Sequence, residues 1–260
     1  MWVDTHTHLF VKEFDEDREE VIRRALNKGV SKMLLPNIDL ESIAAMHQLA
    51  DANPTHCYPM MGLHPSSVDT NYKQVLDQME NLLRNRSYVG IGETGLDYYW
   101  DLSFKKEQIK SLERHITWAI EFSLPIILHT RESFDDTYEL IKSANCRELR
   151  GIFHCFSGTE EDAMKVIKLG GFKLGIGGVY TFKNSTLRES LKDIPLEHIV
   201  LETDSPYLAP HPFRGKRNES AYLPVIAERM AEERNLSVKE LEEVTSRNAA
   251  SLFPQIQQEF

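Results

Sequence analysis

The 260-residue chain is short of cysteine, of long apolar runs and of positive charge, and each shortage removes a class of protein. Its three cysteines, Cys57, Cys146 and Cys155, cannot all pair within one chain and fit no zinc-finger spacing, so reduced thiols are expected. Apolar stretches such as Pro125 to Leu128 fall far below the roughly 20 residues of a membrane-spanning helix, so no membrane partner is expected. Near the N-terminus stand Asp4 and two histidines, where a secretory signal would place basic and then apolar residues; the expectation is a cytoplasmic protein. With 30 Lys+Arg against 40 Asp+Glu, the formal net charge is −10. Such a chain lacks the broad positive field that holds non-specific binders on duplex phosphates. A Gly-rich phosphate loop is also missing: His6-Thr7-His8 occupies the place after the first strand where a dinucleotide fold would carry it.

What remains is the composition of an ordinary soluble globular protein, 41% hydrophobic and 27% charged. Eight short β-rich runs recur: Trp2–Thr5, Lys32–Pro36, Tyr58–Leu63, Tyr88–Gly92, Pro125–Leu128, Gly151–Phe153, Phe172–Ile176 and Ile199–Leu201. Amphipathic helical stretches lie between them, from Asp15–Lys28 to Asn184–Leu191, and two more follow at Ala221–Arg234 and Val238–Leu252. Gly29 is placed to end the first helix, and Ser103 to cap the helical stretch Phe104–Phe122. Strand and helix alternating eight times predict an α/β fold, a (β/α)8 TIM-type barrel built as one domain over residues 1–260. A doubly wound open sheet is the main competitor.

In such a barrel the active site sits at the carboxyl-terminal ends of the strands. His6 and His8, two residues apart on an extended backbone, point to the same side and form a chelating pair. Glu93, His129, His154 and Asp204 stand at the ends of strands four, five, six and eight and would project into the same space. Each taken alone reads as a hydrogen-bonded polar residue at a strand terminus. Together, four imidazoles and two carboxylates without a cation would leave buried charge and lone pairs unsatisfied. Six ligands exceed what one catalytic zinc uses and suit two divalent metal ions bridged by a shared carboxylate and a water. Imidazole with carboxylate favours zinc, manganese or iron, while magnesium prefers oxygen ligands; zinc, manganese and magnesium are the candidates. Cys155 should face away from the lumen by strand alternation and act in packing.

The segments Asp4-Thr5-His6-Thr7-His8, Gly62-Leu63-His64-Pro65, Gly92-Glu93-Thr94-Gly95-Leu96-Asp97-Tyr98-Tyr99, His154-Cys155-Phe156-Ser157-Gly158-Thr159 and Glu202-Thr203-Asp204-Ser205-Pro206-Tyr207-Leu208 resemble the TatD family of metal-dependent deoxyribonucleases. The resemblance runs from Asp4 to about Phe253 and implies His6, His8 and Asp204 on one metal, His129 and His154 on the second, and Glu93 bridging both. It departs at Ser220, where the family often has proline, and at Glu132, where aspartate is frequent. Serine in place of proline would loosen the start of the following helix.

Two cations would acidify a water and offset charge in the transition state, with Asp204 as general base and Glu93 as the second catalytic carboxylate. Substrate contacts are expected from His64, Arg131, Glu202 and Arg217, the last in a loop with Arg214 and Lys216 after strand eight. Tyr98, Tyr99 and Trp100 offer rings on which a base could stack. The expected activity is hydrolysis of DNA phosphodiester bonds by a monomer, on single strands or 3′ ends. The 3′ to 5′ direction and the strand preference are implied by the resemblance. A deacylase of the same fold, for example one acting on D-aminoacyl-tRNA, is the competing enzyme, and a non-catalytic metal-bound binding module is the alternative of another class.

Overall fold

A computed structural model describes residues 1–257. Eight parallel strands follow one another in chain order around a barrel: β1 (Trp2–Asp4), β2 (Val30–Pro36), β3 (Cys57–Met61), β4 (Gly90–Asp97), β5 (Ile126–Arg131), β6 (Gly151–Phe153), β7 (Phe172–Ile176) and β8 (Ile199–Leu201). Among the described residues no ladder joins β8 to β1. Single contacts close that seam: the amide and hydroxyl of Thr5 both donate to the Leu201 carbonyl, and the Asp204 amide donates to His6.

Helices fill the intervals: α1 (Arg18–Asn27), α2 (Ile43–Ala52), α3 (Tyr72–Asn85), α4 (Lys105–Glu121), α5 (Phe134–Ser143), α6 (Glu160–Lys168) and α7 (Leu187–Ser190), then α8 (Leu223–Arg234) and α9 (Val238–Leu252). Their ends follow local chemistry. Gly29, at φ +80°, ends α1, and Asn235 in the left-handed region ends α8. Capping boxes start α6 (Thr159 with Asp162) and α9 (Ser237 with Glu240).

Ser103 is not the cap of α4. Phe104 holds that position, and the Ser103 amide is instead engaged by the Asp101 side chain. Ser220 does not loosen α8 either. It lies buried in a 3-10 turn with its hydroxyl 3.4 Å from that of Thr7, and Pro224 supplies a proline in the helix's first turn. The seventh helix is a single turn, shorter than the amphipathic pattern predicts.

Alternation sorts the strand residues into two layers. Met33, Leu35, Ile126, Leu128 and Phe153 pack outward under the helices. Val3, Leu34, Met60, Ile127, Ile152 and Val200 fill the interior, where Leu252, Phe253 and Ile256, from the end of α9 and the turn after it, close the floor. The opposite end is open.

Candidate metal centre

Most ligand-type side chains reach this open end by continuing the inward parity of their strands. Ile127 leads to His129, Ile152 to His154 and Val200 to Glu202, whereas Asp204, three residues beyond β8, arrives on a turn at φ +57°. Glu93 does not follow the rule, since it would share the outward side of Ile91. A register shift between Ile91 and Thr94 turns it inward. Both β4 and β5 run further than their apolar residues suggest, pairing Gly95 with His129 and Asp97 with Arg131. Gly95 is required there because a Cβ would collide with the His129 carbonyl. The chain after β1 leaves its ladder and rejoins at a Thr7–Ser205 bridge, and it carries His6 and His8 into the same space.

Glu93 organises the centre. Its Oε2 lies 3.1 Å from His6 Nε2 and 3.3 Å from His8 Nε2, and its Oε1 lies 2.9 Å from His129 Nδ1 and 3.3 Å from His64 Nε2. One carboxylate therefore faces two imidazole pairs. Asp204 Oδ1 lies 3.6 Å from His8 Nε2, 3.8 Å from His6 Nε2 and 3.9 Å from His154 Nε2. The His6 and His154 rings stack at 3.5 Å. His64, expected as a substrate contact, is thus brought into the ligand-type cluster.

Glu202 is fully buried behind the centre, Oε1 accepting from the Cys155 amide and lying 2.8 Å from His154 Nδ1. The attraction between them is chiefly one of charge, since Glu202 favours the His154 imidazolium. Gly175 makes room for Glu202, since a Cβ there would collide with Oε2.

Asp97, to which the sequence motif assigns no role, lies 3.0 Å from His129 Nε2 and leaves Nδ1 of that ring facing Glu93. His115 was also missed. Buried on the inner face of α4, its Nε2 accepts the Leu63 amide at 3.0 Å and fixes the turn that presents His64.

Three expectations need correction. Glu202, expected as a substrate contact, is fully buried behind His154 and is not among the side chains lining the mouth cavity. Cys155 does not face away: β6 ends at Phe153, the chain turns through φ +45° at Cys155, and the residue lines the mouth cavity. Arg217 is not among the side chains lining that cavity. Its guanidinium donates to the Glu13 carbonyl at 2.6 Å and Asp17 at 2.7 Å and covers the Phe14 ring, so it pins the loop after β8 to the segment before α1. Arg131 does line the cavity, with its guanidinium over Tyr99.

Burial and charge oppose one another throughout. Burial disfavours the imidazolium of His8, but Asp204 and Glu93 outweigh it and hold the group up at about 9. Burial similarly opposes the charge on His154, and Glu202 with Glu93 raises it to about 10. His6 is pushed down to about 4 by burial and by the neighbouring His154. Burial opposes the charge on Glu93, yet His64, His6 and His154 keep it far below the usual carboxylate range.

This donor set fits a divalent cation. Nδ1 of His6, Nδ1 of His154 and Oε2 of Glu202 are buried without hydrogen-bond partners among the described residues, and ring nitrogens of His6 and His8 face each other at 3.1 Å. Ligand atoms gather in overlapping groups: His6, His8 and Glu93; His64, Glu93 and His129; His154, Cys155 and Asp204; and His6, His154 and Glu202. Imidazole-rich donors suit borderline metals such as zinc or ferrous iron, and the carboxylates among them also suit manganese. The mouth around them is a cavity of about 600 Å³.

The family model for TatD related DNase matches residues 3–254. An uncharacterized metal-dependent hydrolase, YabD of Bacillus subtilis, is 38% identical over 97% of this chain and 99% of its own. A protein named 3'-5' ssDNA/RNA exonuclease TatD, from Pantoea ananatis, is 31% identical over 96% of this chain and 98% of its own. The crystal structure of YJJV, a TatD homologue from Escherichia coli, superposes with a TM-score of 0.91 at 30% identity, covering 97% of this chain and 98% of that one. The chain therefore belongs to the TatD family and is a metal-dependent hydrolase.

Proposed function

We propose that the chain hydrolyses phosphodiester bonds of single-stranded nucleic acid from a 3′ end, using two divalent cations held by His6, His8, Glu93, His129, His154 and Asp204. The observation that carries this reading is the Glu93 carboxylate, whose two oxygens face different imidazole pairs as a bridging ligand would. The exonuclease relative from Pantoea ananatis supports the substrate class and direction. Divalent cations bound there would supply an acidified water and polarise a phosphate oxygen.

The protein's own groups do the rest. Asp204, at the cavity wall and near His6, His8 and His154, accepts the proton of the attacking water. Glu202 keeps the His154 ring in place, and Asp97 does so for His129. Arg131 on the rim offers a donor to a substrate phosphate.

The test is to load the protein with manganese, zinc or magnesium and supply a 3′-labelled single strand and, separately, a D-aminoacyl-tRNA. Release of 3′ nucleotides that is abolished by chelation and restored by metal is expected. Turnover of the aminoacyl ester without nucleotide release would overturn the reading.

A further inference from the structure

Two exposed aromatic rings at the mouth take no part in the ligand cluster. Trp100 is 70% exposed and Tyr99 50%, whereas the other two tryptophans, Trp2 and Trp118, are 4% and 1% exposed. Single apolar residues at a surface are ordinary, but Trp100 holds a particular place. With Ser66 and Asp97 it lines both the mouth cavity and a second cavity of about 320 Å³ bounded by Pro65, Val68, Phe104 and Gln108, so the indole stands where the two adjoin. Tyr99 meets Trp100 edge-on, ring centroids 4.8 Å apart. The Arg131 guanidinium lies 4.0 Å from the Tyr99 centroid and 5.1 Å from that of Trp100, and no carboxylate among the described residues pairs with it. Tyr98 differs, because its hydroxyl donates to Asp136 and its face is covered by Lys105.

We propose that Trp100 is a stacking platform for the nucleobase next to the scissile phosphate, with that base seated against the adjoining cavity and Arg131 contacting the phosphate beyond it. The inference rests on the phosphodiesterase reading and adds how a strand is gripped. A chain of net charge −10 has no broad positive field for nucleic acid, so beside the cations and a local donor such as Arg131 the grip has to draw on contacts that do not depend on charge. Stacking is such a contact, and it tolerates any sequence because every base has a π-face. An indole with a free face, continuous with the cavity that holds the ligand cluster, provides it.

Because Trp100 is the one solvent-exposed tryptophan among the described residues, its fluorescence reports on the site directly. A single-stranded oligonucleotide with phosphorothioate linkages, added to the metal-loaded protein, should quench the exposed emission and shield it from acrylamide. An oligonucleotide lacking the flanking base should do neither. With cleavable substrates, Trp100→Ala should raise KM about tenfold, the size of one lost base–aromatic stack, and Trp100→Phe should restore most of it. Removing the base instead should cost wild type a similar factor, and combining both changes should cost no more than either. Unquenched tryptophan in a protein that degrades DNA, or fully additive penalties, would overturn the stacking platform alone. A protein that neither binds nor cleaves the strand would overturn the nuclease reading, and the platform with it.

Discussion

Asp4 and Thr203 fasten the barrel where its ladder is interrupted. Asp4 Oδ1 accepts the Thr203 amide at 2.9 Å, and Oδ2 accepts its hydroxyl at 2.6 Å. The link ties β1 to the segment beyond β8, two residues from His6 on one side and one from Asp204 on the other. Burial pushes Asp4 up to about 7, against the pull of these hydrogen bonds, so the carboxyl depends on them. Thr203→Val removes the hydroxyl and leaves an acceptor buried. The expected loss is about 2 kcal/mol of unfolding free energy in urea titrations, together with weaker metal retention on dialysis. Unchanged stability and metal content would refute the role of this link.

Glu93 faces both imidazole pairs, so its removal should disable both at once. For Glu93→Ala we expect metal content per chain to fall by more than half in elemental analysis. Turnover should drop by more than the roughly 100-fold that loss of an outer-shell partner can cost. His8→Ala should leave the His64, Glu93 and His129 group able to retain metal. Equal retention in Glu93→Ala and wild type would exclude the bridging position.

Asp97 contacts His129 at the nitrogen opposite Glu93. Asp97→Asn is nearly isosteric and should lower kcat by roughly 10- to 100-fold through loss of ring orientation and basicity. The fold, followed by circular dichroism, should be unchanged. A fall in stability with kcat intact would make Asp97 purely structural.

His115 contributes a pH-dependent share of the stability. Its folded value is about 4, lowered by burial, while an unfolded histidine titrates near 6.5. The unfolded state therefore binds the extra proton between these values, and stability declines as pH falls through that window. At pH 5 the effect is on the order of 2 kcal/mol relative to neutral pH. His115→Gln keeps an acceptor for the Leu63 amide but does not titrate. The difference in unfolding free energy between pH 7 and pH 5 should shrink by about that amount in the variant; identical differences would contradict the assignment.

Arg217→Ala tests the reassignment of the loop after β8. Its pair with Asp17 is partly exposed, so the variant should lose about 1 kcal/mol or less. KM for a single strand should stay within about twofold, because the guanidinium points at Asp17 and not at the cavity. A rise of tenfold or more in KM at unchanged kcat would return Arg217 to the substrate contacts.

Barrel order and most ligand-type residues were legible because the period of each strand is local and its parity persists from apolar residue to strand end. Ile127 predicts His129, and Ile152 predicts His154, with no tertiary information, whereas Asp204 lies beyond β8 at φ +57° and is reached by a turn that alternation does not encode. Glu93 faces inward through a register shift that no periodicity displays. Asp97 escaped because β4 reads as ending at its last glycine-flanked apolar residue, whereas the ladder with β5 continues beyond it. Cys155 was misplaced because alternation was carried past the end of β6, where the chain turns through positive φ. His115 and Arg217 depend on partners far along the chain, Leu63 and Asp17, and such contacts exist only after folding.

Val3, Leu34, Met60, Ile127, Ile152 and Val200, packed on the floor of Leu252, Phe253 and Ile256, make the barrel a cup instead of a tube. Reactant and product then share one doorway. A molecule cleaved at the ligand cluster departs along the path by which it arrived, past Trp100 and Arg131. The grip that admits a substrate is therefore the same grip that governs how fast the site clears.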